Sequence, residues 1–279
     1  MSSQNSALAL RYGTDNAPTT GSVNELAANS VINLMLAHRS VRSFKPDALP
    51  EGTLEILVAA AQSAATSSNL QAWSVVALED QEAKAQCAVL AGGQKHIADC
   101  PLFLLFIADL ARLNQVAESV EIAHDGNDTF EMFLVAAIDA SLAAQNATLA
   151  AESLGLGTVY IGGMRDKPEA VAALLGLPPA TAVVFGLCVG YVVEGKGGSV
   201  KPRLPQEAVL HRERYDSPRQ DEAITRYNAA MVDFYVRESM NVRGDWSRHS
   251  AKRIAGEASL SGRHLLMKTL RRMGFFKSE

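Results

Sequence analysis

Only three cysteines, Cys87, Cys100 and Cys188, occur in 279 residues. Their number is odd, none stands in a Cys-x-x-Cys pair and none neighbours a paired histidine motif, which argues against a disulfide framework and a structural zinc site; no metal is expected. Around the glycine pair Gly162-Gly163 neither Gly-x-x-x-x-Gly-Lys nor Gly-x-Gly-x-x-Gly is found, so neither a phosphate loop nor a dinucleotide-binding fold is signalled. Lys and Arg number 26 against 30 Asp and Glu. A formal net charge of -4 argues against binding nucleic acid through broad phosphate neutralisation, so basic residues must act locally. Residues 1–30 hold no uninterrupted apolar run long enough for a signal-peptide core, and the stretch from Asn16 to Ser30 is rich in Asn, Thr, Ser, Gly and Ala. The expectation is a cytoplasmic protein, without membrane attachment, whose residues 1–30 form a flexible arm before a domain spanning 31–279. No internal repeat is visible.

What is present suits a globular fold: 48% of residues are hydrophobic, enough for one large domain or two small ones. Leu54, Leu57, Val58 and Ala61 form the i, i+3, i+4, i+7 stripe of an amphipathic helix. Trp73 to Leu78, Pro101 to Ala108 and Val183 to Val193 have strand character, the last two apolar on both alternating faces, as a sheet covered by helices on each side requires. This pattern predicts a layered fold of helices and strands. Thr129 to Leu154 predicts a helix about 39 Å long, capped by Asp128 and ended by Gly155. Glu131, Asp139, Gln145, Asn146 and Glu152 interrupt it, against a membrane span. Apolar nearly all round, it must be buried, in the core of one subunit or, the favoured reading, at a subunit interface. Helical periodicity resumes from Gln220 to Glu238 and again near the C-terminus.

Five blocks could carry chemistry. His38-Arg39-Ser40-Val41-Arg42 concentrates basic groups and a hydroxyl; if extended, it projects His38, Ser40 and Arg42 to one face, where they could meet a phosphate and a planar polar ring. As an isolated five-mer it reads first as a solvated charged turn. Thr66-Ser67-Ser68-Asn69-Leu70-Gln71 collects short hydrogen-bonding side chains suited to a ligand-lining loop or to an ordinary turn. Gly92-Gly93-Gln94-Lys95-His96 and Tyr160-Ile161-Gly162-Gly163 let backbone N–H groups approach a flat ligand, although a helix stop explains the first glycine pair too. Lys201-Pro202-Arg203-Leu204-Pro205 adds two cations.

In this order the five blocks resemble those of the FMN-dependent nitroreductase superfamily, and more narrowly its oxygen-insensitive NADPH nitroreductase and NADPH-flavin oxidoreductase branch. The similarity runs from about Val31 to the C-terminus. The resemblance implies an α+β fold, a nitroreductase-like α/β sandwich with a central antiparallel-rich sheet, built as an interlocked homodimer with non-covalent FMN at the interface. It implies that His38, Arg39, Ser40, Lys201 and Arg203 hold the phosphate and nearby groups, and that Arg42 lies at the pyrimidine edge of the ring. It further implies that Thr66, Ser67, Ser68, Gln71 and Gln94 line the cofactor, and that Tyr160, Ile161, Gly162 and Gly163 face its reactive N5. Thr66 stands where the family has serine. The segment Asn241 to Ser247 is similar to the branch's NADPH-recognition segment, with Arg243 as reader of the 2′-phosphate and Gly244 where another basic residue is expected; Trp246 reads as a packing anchor. The last residues, Gly262 to Phe276, are expected to pack across the partner subunit.

These assignments have independent physical sense. A phosphate monoester is close to doubly charged and is answered by Arg forks and Lys ammonium groups, and a fixed Arg42 would stabilise the negative charge that reduction places at the flavin N1 and O2 edge. No protein acid or base is then obligatory. The expected activity is ping-pong, two-electron reduction of small acceptors such as nitro-aromatics or quinones by NADPH. A flavin reductase supplying reduced FMN and a non-enzymatic flavin-binding sensor are the alternatives.

Overall fold

Strands form where the chain is apolar on both alternating faces, and helices where it is apolar on one. The computed structural model describes residues 7–13, 16–18 and 23–277; the rest of the arm expected over 1–30 lies outside them. The helices are α1 (Ala7–Tyr12), α2 (Val23–Ala27), α3 (Ser30–Leu36), α4 (Thr53–Gln62), α5 (Gln81–Leu90), α6 (His96–Asp99), α7 (Ala111–Ser119), α8 (Phe130–Ser153), α9 (Pro168–Leu175), α10 (Gln220–Arg237), α11 (Trp246–Arg253) and α12 (Leu266–Arg272). The strands are β1 (Trp73–Leu78), β2 (Leu102–Asp109), β3 (Gly157–Ile161) and β4 (Thr181–Gly190). The chain divides into two compact units, residues 1–39 with 198–260, and residues 40–197 with 261–279.

The second unit is built on one antiparallel sheet of order β1-β2-β4-β3. Every residue of β2 is buried, because both faces are covered. Phe103, Leu105 and Ile107 point to a layer with Cys87 and Ala88 of α5, Ile97 of α6 and Val171 of α9. Leu102, Leu104 and Phe106 point the other way, to Leu57 and Ala61 of α4 and the alanines of α8. This is the α+β sandwich that the resemblance implied.

In α8 the small residues Ala136, Ala140, Ala143, Ala144, Ala147 and Ala151 are buried, which lets the helix lie close on the sheet and on α4. The other side carries a stripe of large exposed residues at i+4 spacing, Phe130, Leu134, Ile138 and Leu142, each between 42% and 48% exposed. By length and composition α8 could cross a membrane, with 24 residues and a mean hydropathy of 1.3. Here it is the covering helix of a sheet and holds the buried Asp139. Its N-cap is Thr129 and not Asp128, which belongs to a preceding 3₁₀ turn.

The C-terminal residues make contacts within their own chain. Phe275 and Phe276 are 2% exposed, and their rings meet Phe133 of α8 at 5.2 and 5.6 Å. Edge-on aromatic contacts and burial of two phenyl groups hold the tail there.

The first unit has no strand among its described residues. Its core is the face of α10 formed by Tyr227, Met231, Phe234 and Tyr235, covered by Leu204, Val242 and Trp246. Trp246 stacks edge-on to Tyr227 at 5.3 Å, so it is the packing anchor anticipated for it. Within the segment expected as a loose arm, α1 is helical and buries Leu8, Ala9 and Arg11.

Candidate functional site

In the second unit, the extended chain after residue 39 runs beside the sheet. Ser40 bridges Thr158 in parallel, Val41 N–H donates to Thr158 O at 2.8 Å, and Phe44 bridges Val192. The period of two turns Val41 inward (2% exposed) and leaves Ser40 and Arg42 exposed on the opposite face, as an extended reading requires. Arg42 is near enough to His96 to help hold the imidazole below its ordinary value; burial is the larger cause, and Asp99 opposes both. His96 Nε2 is buried with no protein partner.

The blocks at 92–96 and 160–163 also meet. Gln94 Nε2 donates to Ala91 O at 2.9 Å, and a Cβ added to Gly163 would stand 2.7 Å from both of those atoms. Glycine is required there because real Cβ atoms do not approach so closely. The Tyr160 side chain turns away from the 92–96 block: its hydroxyl and Thr148 Oγ1 lie 3.0 Å apart, its ring meets Phe185 at 5.1 Å, and burial raises its pKa. Ile161 is buried in the sheet layer. Of the 160–163 block, then, the backbone and Gly162 are what remains available to a ligand.

The loop from Thr66 to Gln71 is fastened by a residue that sequence reading missed. Asp139, 1% exposed on α8, accepts from Thr66 Oγ1 at 2.6 Å, Ser67 N at 3.2 Å and Ala72 N at 3.1 Å. Thr66 Oγ1 in turn accepts from Gln71 N at 2.9 Å, so this hydroxyl serves the loop itself. Ser68, Asn69 and Gln71 all take positive φ (49°, 57° and 51°), a concentration of strain that persists only where surroundings enforce it and that collects at binding sites. Ser67, Ser68 and Gln71 are exposed. The only sequence signal for Asp139 was an acid inside an apolar helix. Arg165 and Arg263 were missed too: both lie near Gly162, and Arg263 pairs with Asp166 at 3.1 Å.

In the first unit the basic blocks at 38–39 and 201–203, far apart in sequence, are tied together. The buried Arg11 guanidinium donates to Leu36 O, His38 O and Lys201 O, the last two at 2.6 and 3.0 Å, while Arg203 N donates to Arg11 O at 2.9 Å. Tyr227 Oη donates to Pro202 O at 3.0 Å. Arg39 lines an open cleft of about 800 Å³ with Arg226 and Arg237 of α10. Arg243 is exposed, just before the Asp245 cap of α11. Gly244 has φ +88°, and a Cβ there would lie 2.9 Å from Arg248 Cδ, so this position is set by backbone shape, which explains why no basic residue occupies it.

Two family profiles cover nearly the whole of this arrangement: "Nitroreductase family" matches residues 35–191 and "Nitroreductase family, C-terminal domain" matches residues 201–278. The chain belongs to the nitroreductase family. Among family members, an oxygen-insensitive NADPH nitroreductase of Salmonella typhimurium is 36% identical over 81% of this chain and 91% of its own. An FMN reductase (NADPH) of Bacillus subtilis is 40% identical over 78% and 89%. The solved structure of B. megaterium NfrA2 superposes with a TM-score of 0.83 at 37% identity, covering 88% of this nitroreductase-family chain and 98% of that one.

The donor set fits FMN in each unit taken by itself. The first offers the clustered cations that a phosphate monoester needs. The second offers exposed Arg42, the Gln94 amide and a Gly162-Gly163 backbone where a side chain at 163 has no room.

Proposed function

We propose that this nitroreductase-family chain is an FMN-dependent NADPH oxidoreductase that reduces nitro-aromatics, quinones or related acceptors in ping-pong order. The observation that carries the reading is the joining of the His38 and Lys201–Arg203 segments, which leaves Arg203 exposed in a cluster of cations. The named relatives include both a nitroreductase and an FMN reductase, so a flavin reductase is the second reading.

Bound FMN supplies the two-electron chemistry. In the first unit His38, Arg39, Lys201 and Arg203 suit a phosphate; in the second, Ser40 and Arg42 offer a hydroxyl and a charge that offsets negative charge at a flavin ring, and Gly162-Gly163 with Gln94 suit its polar edge. Ser67, Ser68 and Gln71 line it from a loop that Thr66 and Asp139 hold in shape. This loop precedes β1 at one edge of the sheet and Gly162 follows β3 at the other, with β2 and β4 between. At the usual strand spacing the edges stand about 14 Å apart. A second copy that presents its own loop removes this difficulty, and the exposed stripe of α8 is a surface suited to such a homodimer. Sedimentation velocity giving a folded, flavin-bound monomer would contradict it. Arg243 reads the NADPH 2′-phosphate, and the protein acts in the cytoplasm.

The test is direct. The purified protein is expected to be yellow, with FMN near one per chain, and Arg203→Ala is expected to weaken FMN binding roughly 10- to 100-fold, the range for charge-assisted hydrogen bonds. Colourless protein that ignores added FMN would end the reading. Turnover with NADPH and a nitro-aromatic, compared with free FMN as acceptor, separates nitroreductase from flavin reductase; Arg243→Ala should raise the KM for NADPH and leave NADH unchanged.

A further inference from the structure

We infer that Arg11 is a positioning residue for phosphate recognition, a clamp supplied by a segment that lies before the residues the family profile matches. The profile begins at residue 35, whereas α1 spans Ala7–Tyr12. Arg11 is 6% exposed, and its neighbours Leu8 and Ala9 are buried as well, so α1 is seated in the first unit. All three guanidinium nitrogens donate to main-chain carbonyls. Nε and Nη2 reach Leu36 O at 3.1 and 2.8 Å, Nη2 reaches His38 O at 2.6 Å and Nη1 reaches Lys201 O at 3.0 Å. The Arg11 carbonyl accepts from Arg203 N at 2.9 Å.

One residue thus fixes the backbone of three positions, His38, Lys201 and Arg203, that the proposed function gives to the FMN phosphate, and the inference rests on that reading. Arg203 Nη1 also donates to Lys201 O at 3.2 Å, so two guanidinium groups share this carbonyl. Arginine suits the task because its planar fork sets the directions of several donors at once, which an ammonium group cannot do. The effect is preorganisation: cations on long side chains start from a common anchored backbone, and less ordering is left to be done when the phosphate arrives. A clamp of this kind acts on phosphate and not on the isoalloxazine ring.

The distinguishing measurement is the ratio of FMN to riboflavin affinity of the full-length apoprotein, since riboflavin lacks the phosphate. Arg11→Met is expected to lower that ratio by about tenfold or more, with riboflavin affinity unchanged. Arg11→Lys, which keeps a buried cation and stem and so guards against misfolding, should lower it to a lesser extent. Equal loss of both flavins, or a wild-type ratio in Arg11→Lys, overturns the clamp. Arg203→Ala is the control: if its ratio collapses and that of the Arg11 variants does not, the clamp alone fails. If Arg203→Ala also keeps the wild-type ratio, the phosphate assignment fails and the clamp fails with it.

Discussion

The two units hold their candidate residues by different means. In the second, a four-stranded ladder sets the backbone of Ser40, Val41 and the 157–161 segment, and two buried layers back it. In the first, no strand is described, and the 38–39 and 201–203 segments are held by single side chains, Arg11 and Tyr227. A ladder distributes the task over many bonds, so that losing one is tolerated, whereas a side-chain tie fails at one residue. The loop at Thr66 to Gln71 breaks this pattern: it belongs to the sheet-built unit but depends on the single carboxylate of Asp139.

That exception gives the largest expected effect. Asp139→Ala leaves the Thr66 hydroxyl and two backbone N–H groups without their acceptor, and a buried unsatisfied donor costs about 1–3 kcal/mol. A loss of roughly 3 kcal/mol in urea unfolding is expected; a change below about 1 kcal/mol would mean that the loop is held by its flanking strand and not by the acid.

Gly163→Ala sharpens the comparison from the turn that follows the ladder. Its new Cβ would stand 2.7 Å from Ala91 O, a backbone atom that cannot swing aside. Overpacking of this kind costs about 1–3 kcal/mol, and the flavin should be lost before the fold is. Unchanged melting temperature and full flavin content would show that the backbone gives way easily.

The smallest effect concerns Arg42. Burial and Arg42 both lower the His96 pKa from 6.5. The unfolded chain therefore binds more protons than the native one between the lowered value and 6.5, and stability rises with pH across that window and falls on acidification. Arg42→Gln should raise the His96 value in an NMR titration while leaving it below 6.5, because burial is the larger cause. No movement would show that Arg42 does not face the imidazole.

Much of the second unit could be read from periodicity. The strand read at Trp73 to Leu78 has those bounds in the structure, and the helix read at Thr129 to Leu154 spans Phe130–Ser153. Apolar alternation and helical spacing are local properties of the chain, and burial enforces them. The site was legible only as blocks. Sequence grouped Gln94 and Gly163 by residue type only; that a Cβ at Gly163 would stand 2.7 Å from Gln94 Nε2 follows from packing of the 91–94 turn against the turn after β3. The Tyr160 hydroxyl was not foreseen to turn toward Thr148, because nothing local decides which way an aromatic ring leaves a strand end.

The sequence by itself determined the family, the sheet-forming segments and the residue types a phosphate and a flavin ring require, because these are written in local pattern and order. Tertiary structure alone decided that Asp139 holds the Thr66 loop and that Arg11, in a stretch whose composition suggested a loose arm, grips the backbone at His38 and Lys201. Both are buried polar side chains with partners 25 or more residues away, and no local pattern records which distant carbonyl or N–H a buried charge will find; only the closing of the fold around it does.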